Sequence, residues 1–144
     1  MKTNQAFWDT SAIVPLCTHE PTSLYARQIM QTYPQPVVWW GTWAEARSVF
    51  ARAARKNLLT VQQRTQAQKH LERLSQAWTE IVPNNNVRRL AVDLLDGYSL
   101  RTGDAFQLAA ALVWCDEKPR RHTMICFDVR LADAARQVGF TVVS

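Results

Sequence analysis

Cysteine, histidine and glycine are all scarce in this chain, and each scarcity closes off a class of chemistry. Its three cysteines, Cys17, Cys115 and Cys126, are odd in number, widely spaced and set among apolar neighbours. They exclude a disulfide framework and predict reduced core thiols of a cytoplasmic protein. His19, His70 and His122 stand alone in polar contexts, which reads as surface placement and leaves no imidazole-based metal site. Four glycines and six prolines, with 47% hydrophobic and 20% charged residues, exclude a disordered chain. No apolar run is long enough to cross a membrane, and Met1–Gln5 leads into an apolar segment with no signal-peptide core, so the expectation is a soluble, cytoplasmic protein without a membrane role. No repeat or low-complexity linker divides the 144 residues, which suit a single domain, 1–144, with its own core.

The net charge is +5, and thirteen of the seventeen basic residues are arginine. Arginine pairs with phosphate in a planar, bidentate fashion, so the bias leans towards an anionic polymer as partner.

Short apolar runs alternate with helical patterns. Phe7-Trp8 reads as a buried strand running into Asp9, two hydroxyls and a further apolar run to Val14. A helix begins near Pro21-Thr22-Ser23 and ends before Pro34; Pro36–Trp40 is a second strand. Thr42-Trp43-Ala44-Glu45 has the S/T-x-x-E form of a capping box and opens a helix reaching about Lys56. A polar outer helix over 60–78 shows a thin apolar line at Leu71, Leu74 and Trp78, and Glu80–Pro83 reads as an edge strand. Asn84–Asn86 cap a helix through Tyr98, Gly103–Trp114 is a helix apolar nearly all round, and Thr123–Asp128 is a strand ending in an acid. An amphipathic helix stopped by Gly139 and a last strand, Phe140–Val143, complete the chain. The alternation predicts an α/β fold, a parallel sheet with helices on both faces, whose ligands bind beyond the carboxyl ends of the strands where strand order reverses.

Four acids fall on or near that edge. Each has a structural explanation: Glu45 as half of a capping box, Asp104 as a favourable charge in a first helical turn, Asp128 as an N-cap. Asp9 lies in an apolar strand where it caps nothing evident, although Thr10 or Ser11 could satisfy it locally. Taken together the four suggest more. Two unit charges about 4 Å apart repel by roughly 4 kcal/mol at an effective dielectric near 20, so several such pairs would consume much of an ordinary protein's stability. Either some carboxylates protonate or a cation sits among them, and a hard divalent ion such as Mg²⁺ or Mn²⁺ fits an all-oxygen site with Ser11 as a supporting hydroxyl. Arg52 and Lys56, seven and eleven residues beyond Glu45 on one helical face, could track the backbone of an anionic polymer away from the metal, and Arg101, just before the Asp104 helix, is a further candidate phosphate contact. Ordinary solvated charges, or for Arg101 an ion pair with a nearby acid, are the alternatives. Trp39, Trp40 and Trp43 suit core or interface packing, with base stacking as the alternative.

The Asp-Thr-Ser-Ala after an apolar strand, the Glu opening a helix after the second strand, Arg-Thr-x-Asp-Ala-x-x-Leu-Ala at 101–109 and Phe-Asp-x-x-Leu-x-x-Ala-Ala-x-x-x-Gly-Phe at 127–140 resemble the PIN-domain family. Within it the chain is most similar to the VapC toxin ribonucleases of type II toxin–antitoxin pairs, in length and in Glu20-Pro21 after the first motif. The resemblance spans essentially the whole chain. It implies a three-layer α/β/α sandwich with a central, mostly parallel sheet, a Mg²⁺- or Mn²⁺-dependent endoribonuclease, a homodimer, and a small antitoxin whose tail enters the groove. Asp9, Glu45, Asp104 and Asp128 match the acidic quartet, with Ser11 beside them. Gln107 stands where many relatives have histidine, a departure expected to touch substrate contacts and no metal ligand. The competing readings are a PIN-like module without catalysis that holds RNA or a protein, and a phosphatase of the haloacid dehalogenase type, which usually carries a second Asp where this chain has Ser11.

Overall fold

A computed structural model describes residues 4–144. Part of the sequence read above for the absence of a leader, Met1–Thr3, lies outside the described residues. The strands are β1 (Gln5–Trp8), β2 (Gln35–Trp39), β3 (Thr79–Ile81), β4 (Thr123–Ile125) and β5 (Thr141–Val143). Among them run α1 (Thr10–Cys17), α2 (Ser23–Thr32), α3 (Thr42–Arg55), α4 (Val61–Ser75), α5 (Asn85–Gly97), α6 (Thr102–Trp114) and α7 (Val129–Val138). The sheet order is β3-β2-β1-β4-β5 and every pairing is parallel. This is the expected α/β/α sandwich.

Side chains on successive strand residues point to opposite faces, and the sheet divides the core accordingly. Phe7, Val37, Trp39 and Met124 pack with residues of α5, α6 and α7, whereas Ala6, Trp8, Val38 and Ile125 pack with α1, α2, α3 and α4. Both faces are covered, which is why the strands are apolar throughout. Among the described residues no helix is long and apolar enough to cross a membrane.

Several local expectations need correction. The apolar run after Asp9 is the helix α1 and not more strand, because β1 stops at Trp8. Helix α4 stops at Ser75, leaving Trp78 in the turn before β3, where its indole donates to Glu80. The capping box in this region is the unforeseen pair Thr60 and Gln63. His19 is exposed, but His122 is half-buried, edge-on to Trp114 with ring centroids 5.1 Å apart. All three cysteines are free and buried as expected.

The turn from α6 to β4 holds three non-glycine residues at positive φ: Asp116, Glu117 and Arg121, the last at 67°. An L-residue pays for that conformation with Cβ crowding, and an exposed Arg121 has no packing to lose. Arg121→Gly is expected to stabilise the protein by up to about 1 kcal/mol, read from the urea midpoint at unchanged slope. A lower midpoint would mean that the side chain holds the turn.

Candidate active site

Strand order reverses between β1 and β4, the central pair whose neighbours lie on opposite sides. Beyond their carboxyl ends the chain turns into helices at Asp9 and Asp128. Both acids are N-caps. Asp9 Oδ2 accepts from the Ser11 backbone N–H at 3.0 Å, and Asp128 Oδ1 accepts from that of Leu131 at 3.2 Å. The capping role of Asp9 was not evident in the sequence because Thr10–Val14, rich in β-branched residues, reads as strand. The two turns are pinned together: Ser11 Oγ accepts from the Phe127 N–H at 2.9 Å, and the Asp9 N–H donates to the Ile125 carbonyl at 2.9 Å. Ser11 thus fixes the segment leading to Asp128 against the one carrying Asp9.

The two caps differ in environment. Asp128 is exposed, whereas Asp9 is 5% exposed, and burial is the main reason its pKa is pushed up to about 6. The charges of Glu45 and Asp104 add to that rise, against hydrogen bonds from Ser11 that lower it. Asp104, in the first turn of α6, is also raised, by desolvation and then by Asp128 and Glu45, while Arg101 pulls it down. Asp104 thus stands within electrostatic reach of the other three acids, and Asp9 within reach of Glu45 and Asp104. Arg101, Asp104, Asp128, Arg130 and Asp133 line an open cleft of about 630 Å³.

Glu45 is not half of a capping box. Its helix begins after Gly41 without a side-chain cap, and Thr42 lies fully buried in the first turn. Thr42 Oγ1 instead accepts from Gln107 Nε2 at 3.0 Å. Gln107 Nε2 also reaches Glu45 Oε1 at 2.7 Å and Thr10 Oγ1 at 2.9 Å, and the Thr10 hydroxyl donates to the same Glu45 oxygen at 2.5 Å. Two donors, one from β1's end and one from α6, thus hold Glu45 Oε1. Its other oxygen lies against Gly103, where a Cβ would stand 3.2 Å from Oε2. Gln107 is 1% exposed and its own Oε1 has no partner. Gln107, whose departure from histidine was expected to touch substrate contacts and no metal ligand, is buried and holds Glu45, one of the four acids.

Cys126 was missed as a neighbour of the site, although its place two residues before Asp128 was the available signal. Its Sγ lies 3.8 Å from Asp9 Oδ2 and 3.5 Å from the Asp128 carbonyl, and burial pushes the thiol pKa up, so it stays protonated as a weak donor. Arg130 was missed as a cleft residue. Arg52 on α3 and Lys56 at its C-cap are exposed and sit about 10 and 16 Å along the helix axis from Glu45, away from the acids. Trp39 is buried against Phe106, Trp43 stands edge-on to Trp78, and Trp40 is 55% exposed.

The donor set, all carboxylate oxygens whose mutual charge is only partly relieved by hydrogen bonds and Arg101, fits a hard divalent cation. The side chains form no closed cage, however: among the described residues no group of three or more His, Cys, Asp or Glu is gathered tightly enough to hold an ion. Asp104 and Asp128 border open space and have room to turn inward.

No family model matches the chain, and no curated protein does. Solved structures do. A toxin–antitoxin complex from Klebsiella pneumoniae is similar at 21% identity and a TM-score of 0.60 over 96% of each chain. VapBC-5 from Mycobacterium tuberculosis, a member of the VapBC family of toxin–antitoxin systems, is similar at 18% identity and a TM-score of 0.62, over 97% of this chain and 98% of its own. FitAcB from Neisseria gonorrhoeae gives 15% identity and a TM-score of 0.64 over 96% of each chain. At these identities the likeness is one of fold, and it runs the length of the chain.

Proposed function

We propose that this chain, which has the PIN-like fold seen in VapBC-type toxin–antitoxin proteins, is a metal-dependent endoribonuclease and the toxin of a type II pair. The observation that carries the reading is the placement of Asp9, Glu45, Asp104 and Asp128 along one sheet edge, near the point of strand reversal, with the pKa of Asp9 raised chiefly by burial and further by Glu45 and Asp104. Asp9, Asp104 and Asp128 would hold Mg²⁺ or Mn²⁺, with Glu45 offering Oε2. When bound, the ion supplies an activated water and positive charge opposite the leaving oxygen of a phosphodiester. Arg101 and Arg130 on the cleft wall orient the phosphate, and Ser11 keeps the two acid-bearing turns in register. RNA as substrate, a small antitoxin as partner, a homodimer and a cytoplasmic location belong to the same reading. The fold of its structural neighbours supports the toxin part.

The open arrangement of the acids favours one rival, a PIN-like module that holds RNA or protein without cutting. Melting temperature against Mn²⁺, after chelation, separates the two. Ligand bound only by the folded state raises stability by mass action, about 2.7 kcal/mol at a hundredfold excess over Kd. The expected outcome is a rise in the unmodified protein that Asp104→Asn largely loses, followed by Mn²⁺-dependent RNA cleavage that Asp104→Asn abolishes. A metal-free Asp104→Asn protein should be no less stable than the parent, since a repelled charge is removed. If Mn²⁺ changes neither protein and the variant is plainly weaker, Asp104 only favours the start of α6 and the nuclease reading fails.

A further inference from the structure

The carboxyl edge of the sheet carries a second concavity, away from the acids. A cavity of about 330 Å³ lies where β2 and β3 end, between the N-terminus of α5 and the first turns of α6. One wall is aromatic: Trp39 and Phe106 stack with centroids 5.5 Å apart and planes 13° apart. The opposite wall is polar, formed by Asn84, Asn85 and Arg88. The oxygens of both asparagines are engaged, Asn84 Oδ1 by the Val87 N–H at 2.8 Å and Asn85 Oδ1 by Arg88 at 2.9 Å. Their amide nitrogens remain as donors on exposed residues, and Arg88, also exposed, adds a positive charge at the rim. Trp40 extends the aromatic surface, edge-on to Trp39 with centroids 6.4 Å apart.

A flat apolar wall, hydrogen-bond donors in the facing wall and a cation at the edge are the chemistry that recognises an unpaired nucleobase with its phosphate. The cavity and the acids both lie on the carboxyl edge of the sheet: Trp39 ends β2, and Phe106 stands one turn into α6, whose first turn carries Asp104. We propose that this cavity is a subsite for a base of single-stranded RNA flanking the bond to be cut, with the half-buried Phe106 against the ring and Trp39 stacked behind it, the Asn84 and Asn85 amides on its edge and Arg88 on the adjoining phosphate. The subsite rests on the ribonuclease reading above and assigns where along the sheet edge the strand runs: from the acids towards β3.

The test uses the full chain carrying Asp104→Asn, in Mn²⁺, titrated into a short fluorophore-labelled single-stranded RNA and into an abasic strand of the same length. Phe106→Leu is expected to weaken binding to the RNA at least about fivefold, the low end for one stacked base, and to leave abasic binding unchanged, whereas Asn85→Ala, which also releases Arg88, should weaken binding to the RNA more than to the abasic strand. Arg88→Ala should weaken both and reduce the salt slope by about one. Asn85→Ala, at an exposed position, keeps the test valid should Phe106→Leu fail to fold. If Asn85→Ala and a folded Phe106→Leu bind both strands like their parent, the subsite is overturned, while metal-dependent cleavage by the unmodified protein stands or falls separately. If the unmodified protein neither binds nor cuts RNA, the ribonuclease reading fails and takes the subsite with it.

Discussion

Asp9→Asn should make the metal-free protein more stable at pH 7, by about 3 kcal/mol. The figure follows from the rise of the Asp9 pKa from 3.8 to about 6, at roughly 1.4 kcal/mol per unit. Above pH 6 the buried carboxylate is ionised in both folded and unfolded chains, and the folded one bears the full desolvation cost. Below 3.8 it is protonated in both and the cost is absent. The stability that a raised carboxyl contributes is therefore present in acid and lost as pH rises through about 6. Asparagine cannot ionise, and its side-chain oxygen still accepts from the Ser11 N–H, so the cap is kept. Urea unfolding in chelator should show the gap between variant and parent near 3 kcal/mol at pH 7 and under about 1 kcal/mol at pH 4. Saturating Mn²⁺ should narrow or reverse it, since only the parent gains from the ion. A variant weaker than the parent at pH 7 would show that Asp9 serves the fold as a charge.

Changes at Gln107 should rank second. Gln107→Leu removes an amide whose two N–H groups are shared among Thr10, Thr42 and Glu45, and loss of such a buried donor costs roughly 1–3 kcal/mol. It also frees Glu45 to swing, and losing a group that orients a metal-site carboxylate weakens metal binding by about 10–100-fold. Gln107→Glu should be worse at neutral pH, because a second carboxylate would stand at hydrogen-bond distance from Glu45 and one of the pair would have to keep a proton. Its folded-state pKa would then be raised, so the variant should regain stability as pH falls, which Gln107→Leu should not. Calorimetric Mn²⁺ titration alongside urea unfolding checks both. A Gln107→Leu protein that loses stability but binds Mn²⁺ normally would reduce the network to packing.

The sequence made the layered fold legible because burial on both faces leaves strands apolar and helices amphipathic, and because local chemistry punctuates them. Asn84 caps α5 and Gly139, at φ 118°, closes α7, as their residue types require. Asp9 and Asp128 could be placed at strand ends by the same logic. Glu45 could not be understood locally, because a Thr three residues before a Glu fits a capping box and a tertiary clamp equally well. The choice was made by Gln107, 62 residues away in the chain. The Asp9 cap was obscured by residues of high β-propensity that tertiary packing bends into a helix.

The central place of β1 has a consequence for how the molecule is made. Its strand is flanked by β2 on one side and by β4 on the other, and Asp9 touches Cys126 across 117 residues of chain. Synthesis delivers the N-terminal part first, so half of the sheet can form early while β1 waits with one edge bare. Closing so long a loop is the slow kind of step in folding, and here it is also the step that unites Asp9 with Asp128. The acidic edge is thus incomplete until β4 has paired with β1. For the activity proposed above, a nascent chain on its ribosome would be harmless to the RNA around it until β4 has docked.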